Sequence, residues 1–184
     1  RNVAVGYDAL ENNIDGDDNV AIGHSALLEN IDGYENVAIG ADALLENIDG
    51  YENVAIGYAA LEENTDGSYN IAIGYSALDY NTEGYDNTAI GDDALGSITT
   101  GNENIGIGYD ALGSSEYGES NIAIGYQALT YATDTNSSTI ISNNTVIGQY
   151  ALNSPSKINE TVGLGTKLGE DLSSSDTLFG VTLI

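Results

Sequence analysis

The chain contains no cysteine, methionine or tryptophan, and its 184 residues include one histidine and one proline. Without cysteine, neither a disulfide framework nor a thiolate metal site can form. With His24 as the sole histidine, the usual nucleophile–base pairs of covalent catalysis are almost excluded. The composition therefore predicts a protein that is not an enzyme.

Basic residues are nearly as scarce, since 3 Lys and Arg oppose 29 Asp and Glu for a formal net charge of −26. Nucleic acid and anionic membranes are both recognised by Lys and Arg, so neither is expected as a partner. No apolar run approaches the length of a membrane span, and no membrane insertion is expected in this segment. The charge is compatible with salt-rich or calcium-rich surroundings and with a cationic partner.

A 17-residue phrase, Asn-Val-Ala-Ile-Gly-Tyr-x-Ala-Leu-x-x-Asn-x-Asp-Gly-x-x, fills most of the chain. It begins at Asn2, recurs without a gap to Asn121, and returns at Asn144 after a six-residue insertion; a degraded copy starts at Thr161. Fixed-period self-similarity is typical of a stacked, quasi-one-dimensional fold. A two-helix repeat needs roughly 33 residues or more, whereas this shorter period suits a β-solenoid coil of two strands and two turns. The sequence thus predicts an all-β parallel β-solenoid of about ten coils.

Each repeat is numbered here from its first Asn as position 1. Val or Ile at positions 2 and 4, around a small residue at position 3, predicts a strand. We expect these β-branched side chains and Leu at position 9 to form the core, and a second strand at positions 7 to 10. Ala at position 3 is then outward, and an outward apolar stripe predicts close packing against other copies of the chain. The alternative is that Ala is merely tolerated at the surface.

Glycine and asparagine recur at fixed positions. Position 5 is Gly in every recognisable copy, which predicts a positive φ or a close backbone approach. Position 15 is Gly in the first seven copies and marks the other turn. Asn at positions 1 and 12 would lie above one another in stacked coils, so their amides are expected to hydrogen-bond along the axis as ladders. A binding role for these amides is the alternative.

The phrase Asn-x-Ala-Ile-Gly-x-x-Ala, found at 36–43 and 121–128, resembles the head repeat of trimeric autotransporter adhesins. The full 17-residue phrase is similar to repeats of phage tail fibres and related surface fibres. The resemblance covers roughly residues 2–152 and, weakly, 161–169. It implies a left-handed parallel β-roll, a side-by-side homotrimer, an extracellular, cell-surface or virion location, and a role in binding a surface.

Acidic side chains recur at position 14. The members of this column are Asp15, Asp32, Asp49, Asp66 and Glu83. Like charges one coil apart, about 4.8 Å, repel by roughly 1 kcal/mol in water. Hydrogen bonds from turn N–H groups, screening by salt, or a bridging divalent cation would offset this repulsion. The column is therefore a candidate calcium site and implies a calcium-stabilised surface filament as an alternative function, with Asp-capped turns as the purely structural interpretation.

Tyrosines recur at positions 6 and 16 and predict exposed aromatic rows suited to stacking on carbohydrate. The candidate ligand-binding residues are Tyr34, Tyr51, Tyr58, Tyr75 and Tyr85. The alternative is that these rings cover neighbouring coils or chains. His24 occupies a position-6 slot and is interpreted as a substituted surface residue.

The repeats divide the chain into a solenoid over residues 1–152 and degenerate coils over 153–184, which would cap the stack or lead into a further fibre segment. The Ser/Thr/Asn-rich insertion at 134–143 is expected to form a loop. The predicted function is the structural and adhesive shaft or head of an extracellular or virion fibre that presents a glycan- or receptor-binding surface.

Two other functions find weaker support in the sequence. An ice-binding solenoid uses regular rows of Thr, whereas Thr65, Thr82 and Thr88 are interpreted as scattered. A glycosidase needs two privileged acids, and the repetition singles out none.

Overall fold

The computed structural model describes residues 1–130, 141–153, 157–168, 177–179 and 182–183, and this part of the chain contains short strands and no helix. The strands are β1 Val3–Val5, β2 Val20–Ile22, β3 Val37–Ile39, β4 Val54–Ile56, β5 Ile71–Ile73, β6 Thr88–Ile90, β7 Ile105–Ile107, β8 Ile122–Ile124, β9 Thr145–Ile147, β10 Lys157–Asn159, β11 Val162–Leu164, β12 Thr177–Phe179 and β13 Thr182–Leu183.

Eleven of these strands form one parallel sheet in the order β1 to β9, then β11 and β13. Val3 pairs with Val20, and every pair through β8 keeps this 17-residue offset. Parallel neighbours that follow one another in the chain require the backbone to circle back once per strand. The all-β parallel β-solenoid is thereby confirmed, with about nine turns in the described residues.

The pattern changes after β8. Ile122 of β8 pairs with Thr145 of β9, an offset of 23 residues, so the six extra residues enter between these strands. Most of the insertion predicted as a loop, 134–143, lies outside the described residues. Beyond residue 152, β11 and β13 extend the large sheet, while β10 and β12 form a separate parallel pair.

The strands face the opposite way from the prediction. Ala21 and Ala38 at position 3 are fully buried, whereas Ile22 at position 4 is 38% exposed. The reason is that the coil is thin, and the inward side of each strand lies against the Leu of position 9. A Cβ built on Gly106, at position 3 of its repeat, would lie 2.9 Å from Cδ2 of Leu95. Small residues predominate at position 3, and Val146 is the largest among the described residues. The expected outward Ala and inward Val and Ile are therefore wrong, while the buried Leu is confirmed.

The second strand predicted at positions 7 to 10 is also wrong. Positions 7 and 9 adopt left-handed backbone, as in Asp42 with φ 58° and Leu44 with φ 50°, which an extended strand excludes. Neighbouring coils are nevertheless hydrogen-bonded here, because the Asp42 N–H donates to the His24 carbonyl at 2.9 Å and the Leu44 N–H donates to the Ala60 carbonyl at 3.0 Å. The turn therefore satisfies its backbone groups without becoming a sheet.

The two recurrent glycines serve different purposes. Gly23 at position 5 has φ 146°, and a Cβ there would lie 2.1 Å from the carbonyl oxygen of Gly40, so the predicted positive φ and close approach are both confirmed. Gly50 at position 15 does not need a positive φ. A Cβ on it would lie 2.4 Å from Oδ1 of Asn47 and 2.6 Å from Nδ2 of Asn64, so its glycine leaves room for side chains.

Those side chains belong to the predicted asparagine ladder at position 12, which the structure confirms. Nδ2 of Asn64 donates to Oδ1 of Asn47 at 2.9 Å and to the Gly67 carbonyl at 2.9 Å. Nδ2 of Asn81 continues the ladder by donating to Oδ1 of Asn64 at 2.7 Å. The next coil has Ile98 at this position, and Oδ1 of Asn81 is buried without a partner among the described residues.

A second ladder runs through position 1. The Asn53 N–H donates to Oδ1 of Asn36 at 2.9 Å, and Nδ2 of Asn53 donates to the Gly67 carbonyl at 2.8 Å. The Gly67 carbonyl therefore accepts from the asparagines of both ladders. These buried amides fix the turn that closes each coil, which is a structural role rather than the alternative binding role.

Candidate functional site

The outward side of the large sheet is apolar along its length. Its members are Val3, Val5, Val20, Ile22, Val37, Ile39, Val54, Ile56, Ile71, Ile73, Ile90, Ile105, Ile107, Ile122, Ile124, Ile147, Val162 and Leu164, with Thr88 and Thr145 between them. Each is half-buried or exposed. We call this surface the aliphatic face. The solvated face of a sheet normally carries polar residues. Summed along the stack, these side chains expose on the order of 1,000 Å², which is large for a monomer.

The five predicted ligand-binding tyrosines lie in two separate columns beyond opposite ends of the strands. In the position-6 column, the Tyr58 and Tyr75 rings stack with centroids 5.3 Å apart. In the position-16 column, the Tyr34 and Tyr51 rings stack at 4.8 Å and are inclined by 5°. Tyr85 belongs to this second column, two coils beyond Tyr51. Four of the tyrosines therefore form two stacked pairs, one in each column, and the five do not form one continuous patch.

The position-16 column is interrupted by Ser68, which lies between Tyr51 and Tyr85 and is buried. A depression of about 420 Å³ opens at this point, and we call it the Ser68 slot. It is lined by Tyr51, Asp66, Ser68, Tyr69, Glu83, Tyr85 and Asp86. The Tyr69 ring stands edge-on to that of Tyr51, with centroids 5.1 Å apart. A hydrogen bond with the Tyr51 side chain, together with desolvation, raises the pKa of Tyr69 to about 12.

The acidic column at position 14 is exposed on every coil that carries it. Asp15, Asp32, Asp49, Asp66 and Glu83 contribute one carboxylate per coil. Within the described ranges, no group of three or more Asp, Glu, His or Cys side chains converges in a way that could hold a metal ion. Calcium bridging between coils stays a prediction.

A second depression, of about 280 Å³, involves acids that the sequence did not single out, and we call it the Asp79 cleft. Asp79, Asp93 and Asp110 line it together with Tyr80 and Tyr109. Desolvation, with repulsion from nearby carboxylates, raises the pKa of Asp79 to about 6.

This cleft is located where two successive repeats have lost a side chain. Gly96 and Gly113 occupy position 10, where the preceding repeats carry Leu45, Glu62 and Asp79. Such a substitution of Gly for larger residues is the sequence signal that could have revealed the cleft.

His24 does not form a catalytic triad, although Ser25 and Asp42 are both near it. Its Nδ1 lies 2.9 Å from Oγ of Ser25 and 3.8 Å from Oδ1 of Asp42. A triad needs the nucleophile and the carboxylate on different ring nitrogens, whereas both groups here face the same one. The ring is exposed and stacks on Tyr7 at 5.4 Å.

The threonines are less scattered than the sequence interpretation held. Thr65, Thr82 and Thr99 all occupy position 13 of their repeats. Oγ1 of Thr65 donates to the Thr82 carbonyl at 3.0 Å, and Oγ1 of Thr82 donates to the Thr99 carbonyl at 3.2 Å. These hydroxyl protons bond the next coil and are not presented as a free row, which gives no support to an ice-binding surface.

Among the described residues there is no helix with the length and apolar character that crossing a bilayer requires. Comparison of the chain with family models, with curated proteins and with solved structures gives no match. The resemblance to adhesin-head and tail-fibre repeats therefore stays an expectation from the sequence.

Proposed function

We propose that the chain is a non-enzymatic shaft or head segment of an extracellular or virion fibre, in which three copies associate side by side. The observation that carries this proposal is the aliphatic face. Ile56 and Ile73, for example, are outward side chains of adjacent coils, and burying such groups stabilises an assembly by roughly 25 cal/mol per Å².

The occupant of the aliphatic face is another copy of the chain. The face presents the same apolar pair on coil after coil, about 4.8 Å apart, so a complementary partner needs the same rise and the same length. A second copy meets both requirements. The number three and the left-handed winding are taken from the resemblance to trimeric adhesin heads, because the face alone does not select them.

The mass in solution, measured by light scattering, tests this assembly. We expect three times the 19.1 kDa of one chain. Changing Ile56 and Ile73 together to Glu should give a monomer, because each trimer would then bury six carboxylates. Ile14→Glu is the matched control, since Ile14 is 67% exposed at position 13 and lies outside the face. A wild-type mass of one chain would reject the proposed assembly.

Adhesion is the second part of the proposal. Exposed Tyr58 and Tyr75 present stacked rings that suit contact with a glycan or another receptor group. Binding of the trimer to arrayed glycans, compared between wild type and a Tyr58→Ala, Tyr75→Ala variant, tests this part. Equal binding by both proteins would exclude the position-6 column as the receptor surface.

A further inference from the structure

The Ser68 slot is a gap in the position-16 column between two tyrosines, Tyr51 and Tyr85. Tyr34 and Tyr51 stack at 4.8 Å, which equals the rise of one coil. Tyr51 and Tyr85 are two coils apart, so the column leaves about 10 Å between the levels of these two residues. That interval can hold one planar group that contacts a tyrosine ring on each side. Tyr69 adds a third ring, set edge-on to Tyr51.

Negative charge surrounds this interval. Asp66, Glu83 and Asp86 line the slot and are exposed. The only basic residues of the chain are Arg1, Lys157 and Lys167, and none of them lines the slot. The three carboxylates therefore have no positive partner within the slot itself.

Aromatic faces and carboxylates together favour a cation. A cation within about 6 Å of a tyrosine ring is attracted by the negative face of the ring. Among biological cations, guanidinium is planar, stacks on aromatic rings and pairs with carboxylates through two parallel N–H donors. An ammonium group is compact and strongly hydrated, so it gains less from a slot one ring thick. A neutral sugar ring would not draw on the charge of the three carboxylates.

We propose that the Ser68 slot binds the guanidinium group of an arginine side chain on a protein partner. The guanidinium lies between the Tyr51 and Tyr85 levels of the column, and its N–H groups face the carboxylates of the slot. This site differs from the position-6 column to which the proposed function assigns glycan contact. It also does not depend on the number of chains in the fibre.

The test uses N-acetyl-arginine methylamide as the probe and N-acetyl-citrulline methylamide as its neutral isostere. Titration of the full chain, followed by NMR of the probe and by tyrosine fluorescence, should show binding of the arginine probe about tenfold tighter than that of the citrulline probe. The difference should shrink at high salt, because exposed charges are screened. Equal affinity for the two probes, or no binding of either at millimolar concentration, would overturn the proposal.

Ser68→Tyr locates the site. Position 16 carries Tyr in three other repeats, so this substitution restores the column and fills the slot. It should reduce affinity for the arginine probe about tenfold. Ala41→Tyr is the matched control, because it adds a tyrosine to the position-6 column and should leave affinity unchanged. Binding that persists in Ser68→Tyr would show that the slot is not the site.

If Ser68→Tyr does not fold, as judged by circular dichroism and melting, the double variant Glu83→Gln, Asp86→Asn replaces it. This variant keeps the size of both side chains and removes two charges. It should reduce affinity for the arginine probe without affecting the citrulline probe. Loss of affinity for both probes, or for neither, would contradict a guanidinium site.

Discussion

Residues 2–86 and residues 87–130 are built on the same strand phrase but close their coils differently. In the first stretch, position 12 carries the asparagine ladder that ends at Asn81. In the second stretch, this position is held by Ile98, which is fully buried in the apolar core, and by Ser115. Ala at position 3 and Leu at position 9 are buried in both stretches, apart from the first coil and from Gly106, which replaces one Ala.

The difference teaches which half of the repeat is constrained. The strand half meets a core only one leucine thick, so position 3 takes residues as small as Ala or Gly in both stretches. The turn half can be closed by a polar ladder or by an apolar side chain, provided that the backbone groups remain paired. Variation is therefore tolerated in the turns, and the Ser68 slot and the Asp79 cleft both lie there.

The largest expected effect comes from breaking the ladder of the first stretch with a methyl group. Gly50→Ala places a Cβ within 2.6 Å of Asn47, Gly67 and Asn64 atoms, and we expect a loss of about 3 kcal/mol in the free energy of unfolding. Gly96→Ala is the control in the second stretch, where the nearest atom, the Asp93 carbonyl oxygen, lies 3.2 Å away. Urea unfolding at equal protein concentration should separate the two variants, and equal losses would contradict the crowding argument.

The second largest loss of stability is expected from exchanging the polar and apolar residues at position 12. Asn64→Ile leaves Oδ1 of Asn47 buried without its donor and should cost about 2 kcal/mol. Ile98→Asn supplies a donor to Oδ1 of Asn81 while giving up the burial of one isoleucine, so its net change should stay within about 1 kcal/mol. The same unfolding measurement applies. If Ile98→Asn proves the more destabilising change, burial of the isoleucine stabilises the coil more than the ladder does.

Asp79 belongs to the first stretch but lines a cleft together with Asp93 and Asp110 of the second stretch. Its raised pKa predicts that the stability of the fold depends on pH. Because its pKa in the folded protein is raised to about 6 from 3.8, the folded state holds this proton more tightly than the unfolded state does. The contribution of Asp79 to stability is therefore greatest below about pH 4 and is lost as the pH rises towards about 6.

Because asparagine does not titrate, Asp79→Asn should remove the fall in stability that Asp79 causes between about pH 4 and about pH 6. It should raise the free energy of unfolding at pH 7 by roughly 1 kcal/mol, after allowance for solvent screening. Melting temperatures of both proteins between pH 4 and pH 7 test this expectation. Asp32→Asn, which removes an exposed carboxylate of the position-14 column, controls for net charge. If the melting temperatures of wild type and Asp79→Asn changed in parallel with pH, the half-buried carboxylate would have no such effect.

The smallest effect concerns the acidic column, which the second stretch replaces with Thr100 and Tyr117 at position 14. The calcium hypothesis predicts that millimolar calcium raises the melting temperature more than sodium chloride of matched ionic strength. Asp49→Asn combined with Asp66→Asn should abolish the difference, whereas Thr100→Val should not. Equal shifts with the two salts in the wild-type protein would exclude calcium bridging.

Periodicity was sufficient to predict the parallel stack, both asparagine ladders and the glycine at position 5, because in-register stacking places identical residues in contact. It could not predict which side of the strand is inside. Val-Ala-Ile is apolar on both faces, so the sequence does not indicate which face points inward. The structure shows that the narrow interior accommodates the Ala side. The left-handed backbone at Leu44 was also hidden, because leucine carries no signal for a positive φ.

The Ser68 slot and the Asp79 cleft were missed for a different reason. Each depends on a side chain that is smaller than its counterparts in other repeats, Ser68 in one case and Gly96 in the other. A search for recurring residues does not detect such positions. Comparing the residues at one position across all repeats would find the unusually small ones.

The constant offset between paired strands has a consequence for how such a chain changes in evolution. Recombination between two nearly identical repeats adds or removes a whole number of coils, and every coil that remains still meets a neighbour of the same kind. Length can therefore vary in steps of about 4.8 Å without redesign of any contact. Each inherited gain or loss of one repeat therefore lengthens or shortens the solenoid by one coil.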